Sequence, residues 1–156
     1  LVYLSIYVAM TLGSFACIMQ LRGPDGEPRE ELSDIAGLSQ TNKGLALAMA
    51  IFMFSLAGIP PLFGFWGKVV VFDAAIGAGL LPLAVIGIAA SVIGAFYYIK
   101  IVKLMYFDES RTVLQTGDGK ALAWIGAIMA LLVSPLGYFS IPLLGGFANN
   151  AASALF

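Results

Sequence analysis

The chain has 156 residues, of which 60% are hydrophobic and only 11% are charged, and its formal net charge is −1. Its mean hydropathy of +0.95 and its shortage of charged side chains exclude an ordinary soluble domain and favour an integral membrane protein. The near-zero net charge gives no indication of nucleic-acid binding. With no histidine and one cysteine, Cys17, the usual zinc, haem and iron–sulfur ligand sets are excluded, so we expect no redox centre, metal or other cofactor in this chain.

Four hydrophobic stretches, separated by charged or turn-forming segments, predict four membrane-spanning helices. They cover about residues 1–21, 44–72, 76–107 and 121–139. Each exceeds the length of a tilted membrane strand, and none alternates polar with apolar residues. We therefore predict an all-α, polytopic transmembrane bundle that forms a single membrane domain over residues 1–156. Because Leu1 lies inside the first stretch, without a basic flank, we expect a fragment of a longer chain rather than a signal peptide.

Small residues recur every fourth position in the last two predicted helices. One ridge contains Gly87, Ser91 and Ala95, and the other contains Gly126, Ala130 and Ser134. Such ridges allow helix backbones to approach closely in a membrane, where lipid provides no hydrophobic drive for association. We interpret both ridges as packing surfaces.

The distribution of basic residues predicts the orientation of the bundle. With four spans, the loops 22–43 and 108–120 lie on the same side of the membrane. Seven of the eight basic residues lie in these loops or at the adjoining helix end: Arg22, Arg29, Lys43, Lys100, Lys103, Arg111 and Lys120. The opposite side has no Lys or Arg and only Asp73. By the positive-inside rule, both loops are predicted to be cytoplasmic and Phe156 to lie on the far side.

The second hydrophobic stretch contains an unusual interruption at Pro60 and Pro61, with Gly58 just before it. Proline has no N–H, so the carbonyls of Leu56 and Ala57 lose the hydrogen bonds that a continuous helix would give them. We therefore predict that this span is broken here. Irregular backbone at membrane depth survives only where protein or a polar cavity surrounds it.

Lys68 is the only ionisable residue well inside a hydrophobic stretch, and it follows the break within eight residues. A charged side chain at the bilayer centre costs about 2.5–3.5 kcal/mol on insertion scales, so such residues usually have a function. An alternative is that Lys68 extends to the far interface, where Asp73 lies nearby. A broken helix beside an ionisable residue is typical of ion sites in transporters, which makes Lys68 the candidate site residue.

The segment from Ser55 to Phe72, SLAGIPPLFGFWGKVVVF, resembles the broken twelfth helix of the antiporter-like membrane subunits of respiratory complex I, the proton-pumping NADH:quinone oxidoreductases. Within that family it is most similar to the subunit N type. The similarity extends to Thr11–Ala16 and Ala95–Lys100, and it covers the whole chain as helices eleven to fourteen of a longer protein. Subunit M usually has a glutamate where Lys68 stands, and subunit L usually has an acidic residue where this chain has Val69.

The resemblance implies a proton-translocating subunit in which Lys68 belongs to a half-channel that exchanges protons with the far side. It also implies other complex I membrane subunits as partners, with flavin and Fe–S clusters in partner subunits. The expected location is the bacterial inner membrane or an equivalent energy-coupling membrane. Two alternatives stay open: a subunit of a multi-subunit cation/proton antiporter, which shares the broken helix, and a structural membrane scaffold.

Overall fold

A computed structural model describes residues 2–110, 114–116, 119–140, 142, 145–147 and 150. Within these residues the fold is mostly helical, as the sequence predicts. In chain order, the elements are α1 (Val2–Ile18), β1 (Leu21–Arg22), a 3-10 helix (Leu32–Ile35), α2 (Leu38–Thr41), α3 (Lys43–Ala57), α4 (Phe63–Gly77), α5 (Leu81–Phe107), β2 (Gln115–Thr116), α6 (Lys120–Val133) and a second 3-10 helix (Pro135–Ser140).

The helices pack through small residues. α1 lies against α6, α3 and α4, while α3 also packs along α5. A Cβ added at Gly13 would overlap the ring of Phe52, which is fully buried between α1 and α3. A Cβ at Gly126 would come within 3.3 Å of the Cys17 sulfur, so the ridge on α6 faces α1. These close approaches agree with the interpretation of the ridges as packing surfaces.

The first helix is shorter than the predicted 1–21. α1 ends at Ile18 because the backbone of Leu21 and Arg22 leaves the helix to pair with Thr116 and Gln115 in a small antiparallel sheet. The pairing brings the two polar loops together at one end of the bundle. That these loops are cytoplasmic stays a prediction, and Leu1, Arg111 and Phe156 lie outside the described residues.

The boundary between the second and third hydrophobic stretches also differs from the prediction. α4 continues through Ile76 to Gly77, and α5 begins at Leu81 rather than at residue 76. Gly79 adopts a φ of +76°, which suits glycine and ends the helix. Pro82 then occupies the first turn of α5, where its missing N–H costs no helical hydrogen bond.

The last predicted helix, 121–139, ends early for a reason visible in the sequence. α6 stops at Val133, and Ser134 is extended, with φ −67° and ψ 174°. Pro135 disfavours helical geometry at the residue before it and cannot donate a hydrogen bond to the preceding turn. The chain continues as the 3-10 helix Pro135–Ser140.

One helix in the described part of the chain, Leu81–Phe107, is both long and apolar enough to cross a membrane by itself. Three shorter helices are also apolar: Val2–Ile18, Lys43–Ala57 and Lys120–Val133. Large hydrophobic side chains of α5, such as Ile86, Val92 and Phe96, are 65%, 67% and 65% exposed. Apolar side chains so exposed along a helix suit contact with lipid or with other protein.

Candidate functional site

The end of α3 leaves two backbone carbonyls without helical partners. Gly58 adopts a φ of +83°, and its N–H donates to the carbonyls of Phe54 and Ser55. The N–H of Ile59 donates to Phe54 as well, which completes the Schellman pattern of a glycine-terminated helix. Pro60 and Pro61 come next and have no N–H for the carbonyls of Leu56 and Ala57.

The start of α4 is fixed to α3 by a close backbone approach. The N–H of Gly64 donates to the Ser55 hydroxyl oxygen at 2.9 Å, which satisfies one of the free donors in the first turn of α4. A Cβ at Gly64 would overlap the carbonyl oxygen of Ser55. Tyr138, from the second 3-10 helix, donates its hydroxyl proton to the Leu62 carbonyl at 3.3 Å. Residues 58–62 are therefore held as a turn between the two helices.

Lys68 extends its side chain back to this turn. Its Nζ donates to the carbonyl oxygens of Leu56 at 2.9 Å and Ala57 at 3.1 Å. These are the two carbonyls that the prolines leave unpaired. Helical side chains point toward the N-terminus of their own helix, and the N-terminus of α4 is the break. The direction of the side chain thus follows from the position of Lys68 in the second turn of α4.

A third hydrogen bond links Lys68 to α5. Nζ lies 2.6 Å from the hydroxyl oxygen of Ser91, to which it donates. In the sequence, Ser91 is recognised only as a member of a small-residue ridge. A further observation shows why Ser91 is near the amine: a Cβ at Gly87, on the same ridge, would come within 2.9 Å of the Phe72 ring, so this ridge faces α4. Ser91 is the single Ser or Thr in α5, and this lone aliphatic hydroxyl is the signal that the sequence offers, although the face on which it lies is known only from the packing.

The acceptors around Lys68 are all uncharged. Among the described residues, no carboxylate lies within 4.0 Å of its amine, and Asp73 is exposed further along α4. Measured along α3, the carbonyl of Leu56 lies about 20 Å from Lys43, since a helix rises about 1.5 Å per residue.

Two cavities meet at Lys68 and Ser91. One has a volume of about 380 Å³ and also contacts Tyr3, Tyr7 and Tyr98. The other has a volume of about 550 Å³ and reaches Gly58 and Asp73. Lys68, Ser91 and Phe72 line both cavities. The amine and the hydroxyl thus border two adjoining, half-open spaces that have room for water molecules, and they are polar groups in linings that are mainly apolar.

No candidate metal centre accompanies this site. In the ranges that the structure describes, no group of three or more His, Cys, Asp or Glu residues is close enough to hold a metal ion. Cys17 is buried between α1 and α6, away from Lys68. The predicted site residues Gly58, Pro60, Pro61 and Lys68 are brought together, and the available chemistry is that of an amine, a hydroxyl and backbone carbonyls.

Comparison with known proteins identifies the class. The family described as "NADH:quinone oxidoreductase/Mrp antiporter, TM" matches residues 1–94, which is more than half of the chain. The chain belongs to this family of transmembrane proteins. This confirms the family resemblance carried by the segment from Ser55 to Phe72.

Individual proteins that are similar to this chain indicate which member of the family it resembles. Proteins named NADH-quinone oxidoreductase subunit N from Rhizorhabdus wittichii and Erythrobacter litoralis are 56% and 55% identical to this chain, over 99% and 100% of its length. A chain in the solved structure of respiratory complex I from Thermus thermophilus with bound aureothin is also similar. It has a TM-score of 0.73 and 29% identity, over 92% of this chain and 33% of that one. The present chain spans 32% of the length of each curated relative.

Proposed function

We propose that this chain is part of a proton-translocating membrane subunit of NADH:quinone oxidoreductase, and that Lys68 carries protons within it. The relatives support the assignment to a membrane subunit of this enzyme. Two of them are named NADH-quinone oxidoreductase subunit N and share more than half of their aligned residues with this chain. The enzyme activity then belongs to the whole complex, with electron transfer in other subunits. This chain contributes a proton site and no redox centre.

The proposed membrane arrangement has four crossings, with α3 and α4 as two halves of the second one. Each half has 15 residues and rises about 22 Å, so we propose that the two halves cross the membrane together. α6 has only 14 residues, and its crossing would be completed by the 3-10 helix Pro135–Ser140 that follows it. The pairing of β1 with β2 supports a common side for the two polar loops, and their basic residues favour the cytoplasmic side. The membrane is then the bacterial inner membrane or an equivalent energy-coupling membrane.

The observation that carries the proton-site proposal is the set of acceptors around the Lys68 amine. Two backbone carbonyls and one hydroxyl hold it, and none of these groups is charged. A relay requires a group that both binds and releases a proton. A carboxylate partner would stabilise the ammonium form strongly in an apolar site. Neutral oxygens stabilise the ammonium less, so the proton can leave when the surrounding charge changes. Lys68 would then exchange protons with the far side of the membrane through a half-channel.

The proposed partners follow from the exposed apolar surface and from the relatives. We propose that other membrane subunits of the complex and the lipid bilayer cover the exposed side chains of α5. Flavin and Fe–S clusters would reside in partner subunits, where NADH oxidation occurs. No nucleic-acid partner is proposed.

Replacing Lys68 by Met in the intact complex tests the proposal. Met has a similar length but no proton to exchange, so protons moved per NADH oxidised should fall while the complex still assembles. The matched control is Lys103→Met, which removes an exposed lysine from α5. Reconstituted vesicles with a fluorescent pH probe measure the pumping, and native gels measure assembly. Normal pumping by an assembled Lys68→Met complex would leave Lys68 as an interface anchor in a structural scaffold.

The family description also includes Mrp antiporters, which keeps a cation/proton antiporter subunit as the second candidate. The two functions differ in their partners, because only an NADH:quinone oxidoreductase requires flavin and Fe–S subunits. Purification of the full-length protein from its native membrane distinguishes them. A stable complex without flavin or iron would favour the antiporter.

A further inference from the structure

The three hydrogen bonds of Lys68 account for all the protons of its ammonium group. An ammonium has three N–H donors and no acceptor, and the structure provides three acceptors, at 2.9 Å, 3.1 Å and 2.6 Å from Nζ. When one proton leaves, the amine keeps two N–H groups and gains a lone pair. One of the three partners must then either lose its hydrogen bond or reverse its direction.

Only one of the three partners can reverse. The carbonyl oxygens of Leu56 and Ala57 have lone pairs but no proton, so they accept hydrogen bonds in both states of the amine. The Ser91 hydroxyl has one O–H and two lone pairs, so it can accept from the ammonium and donate to the neutral amine. It is also the nearest of the three acceptors to Nζ.

The position of Ser91 places this reversal next to space for water. Lys68 and Ser91 border both cavities, so a proton that leaves the amine on the α5 side meets the hydroxyl. The two carbonyls, by contrast, belong to the end of α3 and cannot pass a proton on. Phe72 is the third residue common to the two cavities, and its apolar ring offers no route for a proton.

We infer that Ser91 is the proton-transfer partner of Lys68, an inference that depends on the proposed function. In the transfer step, an N–H bond of the ammonium breaks and a new O–H bond forms at the Ser91 oxygen. The original hydroxyl proton moves at the same time to a water molecule in the adjoining cavity, so the serine is unchanged and the water carries the positive charge. The hydroxyl then donates to the lone pair of the neutral amine. Reloading of Lys68 follows the same steps in reverse.

A pair of variants with the same shape tests this role. Ser91→Thr keeps the hydroxyl, while Ser91→Val has nearly the same shape as Thr with a methyl group in place of the hydroxyl. In the intact complex, we expect Thr to keep at least about half of the proton pumping and Val to lose at least about tenfold, since a general acid–base group typically contributes about 10²–10⁴-fold. A residue that only packs would respond equally to both changes. Equal pumping by the Thr and Val complexes, high or low, would overturn the inference.

Two further variants complete the design. Ser91→Ala removes the hydroxyl with less change in shape, and it replaces Ser91→Val if the Val complex fails to assemble. Reduced pumping by the Ala complex supports the inference, and normal pumping overturns it. Ser14→Ala is the matched control, because the Ser14 hydroxyl donates to its own helix, at the Met10 carbonyl, and its loss should leave pumping unchanged. Lys68→Met is measured in parallel. If Lys68→Met pumps normally, the proposed function fails; if it does not pump while Ser91→Val does, only the role of Ser91 fails.

Discussion

Lys68 and Arg29 are two cations held in different ways. Arg29 donates to the carboxylate of Asp25 at 2.6 Å, in an exposed loop beside the β1–β2 sheet. Lys68 donates only to uncharged oxygens, at the turn between α3 and α4. A guanidinium is a permanent cation, and a carboxylate suits such a partner. A cation that must lose its charge is better placed among neutral dipoles, and this difference separates a structural ion pair from a proton site.

The largest expected effect comes from exchanging the type of cation at the two positions. Lys68→Arg keeps a positive charge but cannot release its proton, because the pKa of a guanidinium stays far above any ordinary pH. We expect pumping by the intact complex to fall at least about tenfold, although the hydrogen-bond donors remain. Arg29→Lys, the matched control, keeps the charge next to Asp25 and should leave pumping unchanged. Normal pumping with Lys68→Arg would show that a fixed charge is sufficient at this position.

A second test concerns the backbone contact that brings α4 to α3. Gly64→Ala places a methyl group against the Ser55 carbonyl, so the two helices must separate. Such overpacking typically costs about 1–3 kcal/mol, and we expect less assembled complex on native gels. Gly77→Ala is the control, since a Cβ at Gly77 meets nothing within 4 Å. Equal amounts of the two assembled complexes would show that the contact between α3 and α4 can relax without loss of stability.

Much of this site could be predicted from the sequence because its cause is local. Two adjacent prolines identify which carbonyls lose their partners, and a helical lysine seven or eight residues further on points back to them. Ser91 could not be assigned in the same way. It is 23 residues from Lys68, and its contact depends on the packing of α5 against α4, which a single sequence does not determine. The end of α6 at Val133, two residues before Pro135, was predictable from a local rule, and the predicted boundary at residue 139 was too late.

The third test compares two glycines with the same backbone strain. Gly58 and Gly26 have φ values of +83° and +80°, so alanine costs each roughly 1–2 kcal/mol of backbone energy. Only at Gly58 does the new Cβ approach the lysine, 2.9 Å from Cδ and 3.0 Å from Nζ of Lys68. We expect Gly58→Ala to reduce pumping several-fold and Gly26→Ala to leave it unchanged, measured at equal amounts of assembled complex. If both variants pump equally, the position of the amine is not critical.

The smallest effect belongs to the ion pair in the loop. The backbone N–H of Glu27, together with the charge of Arg29, holds the pKa of the Asp25 carboxyl below its ordinary value. A carboxyl with a lowered pKa stabilises the folded loop above its ordinary pKa of about 3.9, and the contribution is lost as the pH falls through the lowered value. Asp25→Asn should therefore speed amide hydrogen exchange at Gly26 and Glu27 slightly, after correction for intrinsic rates. The difference should be constant from pH 8 to pH 5, because the carboxyl stays ionised throughout that range.

The control for this loop is Glu30→Gln, which changes the charge by the same amount one residue beyond Arg29. Glu30 makes no ion pair with the described residues, so its exchange rates should match those of the unchanged protein. Proton pumping should be normal in both variants, since the pair lies outside the region of Lys68. A change in pumping with Asp25→Asn but not with Glu30→Gln would connect the loop to the proton site. In that case the ion pair of Arg29 could not be called purely structural, because its fixed charge would influence Lys68 through the helix bundle.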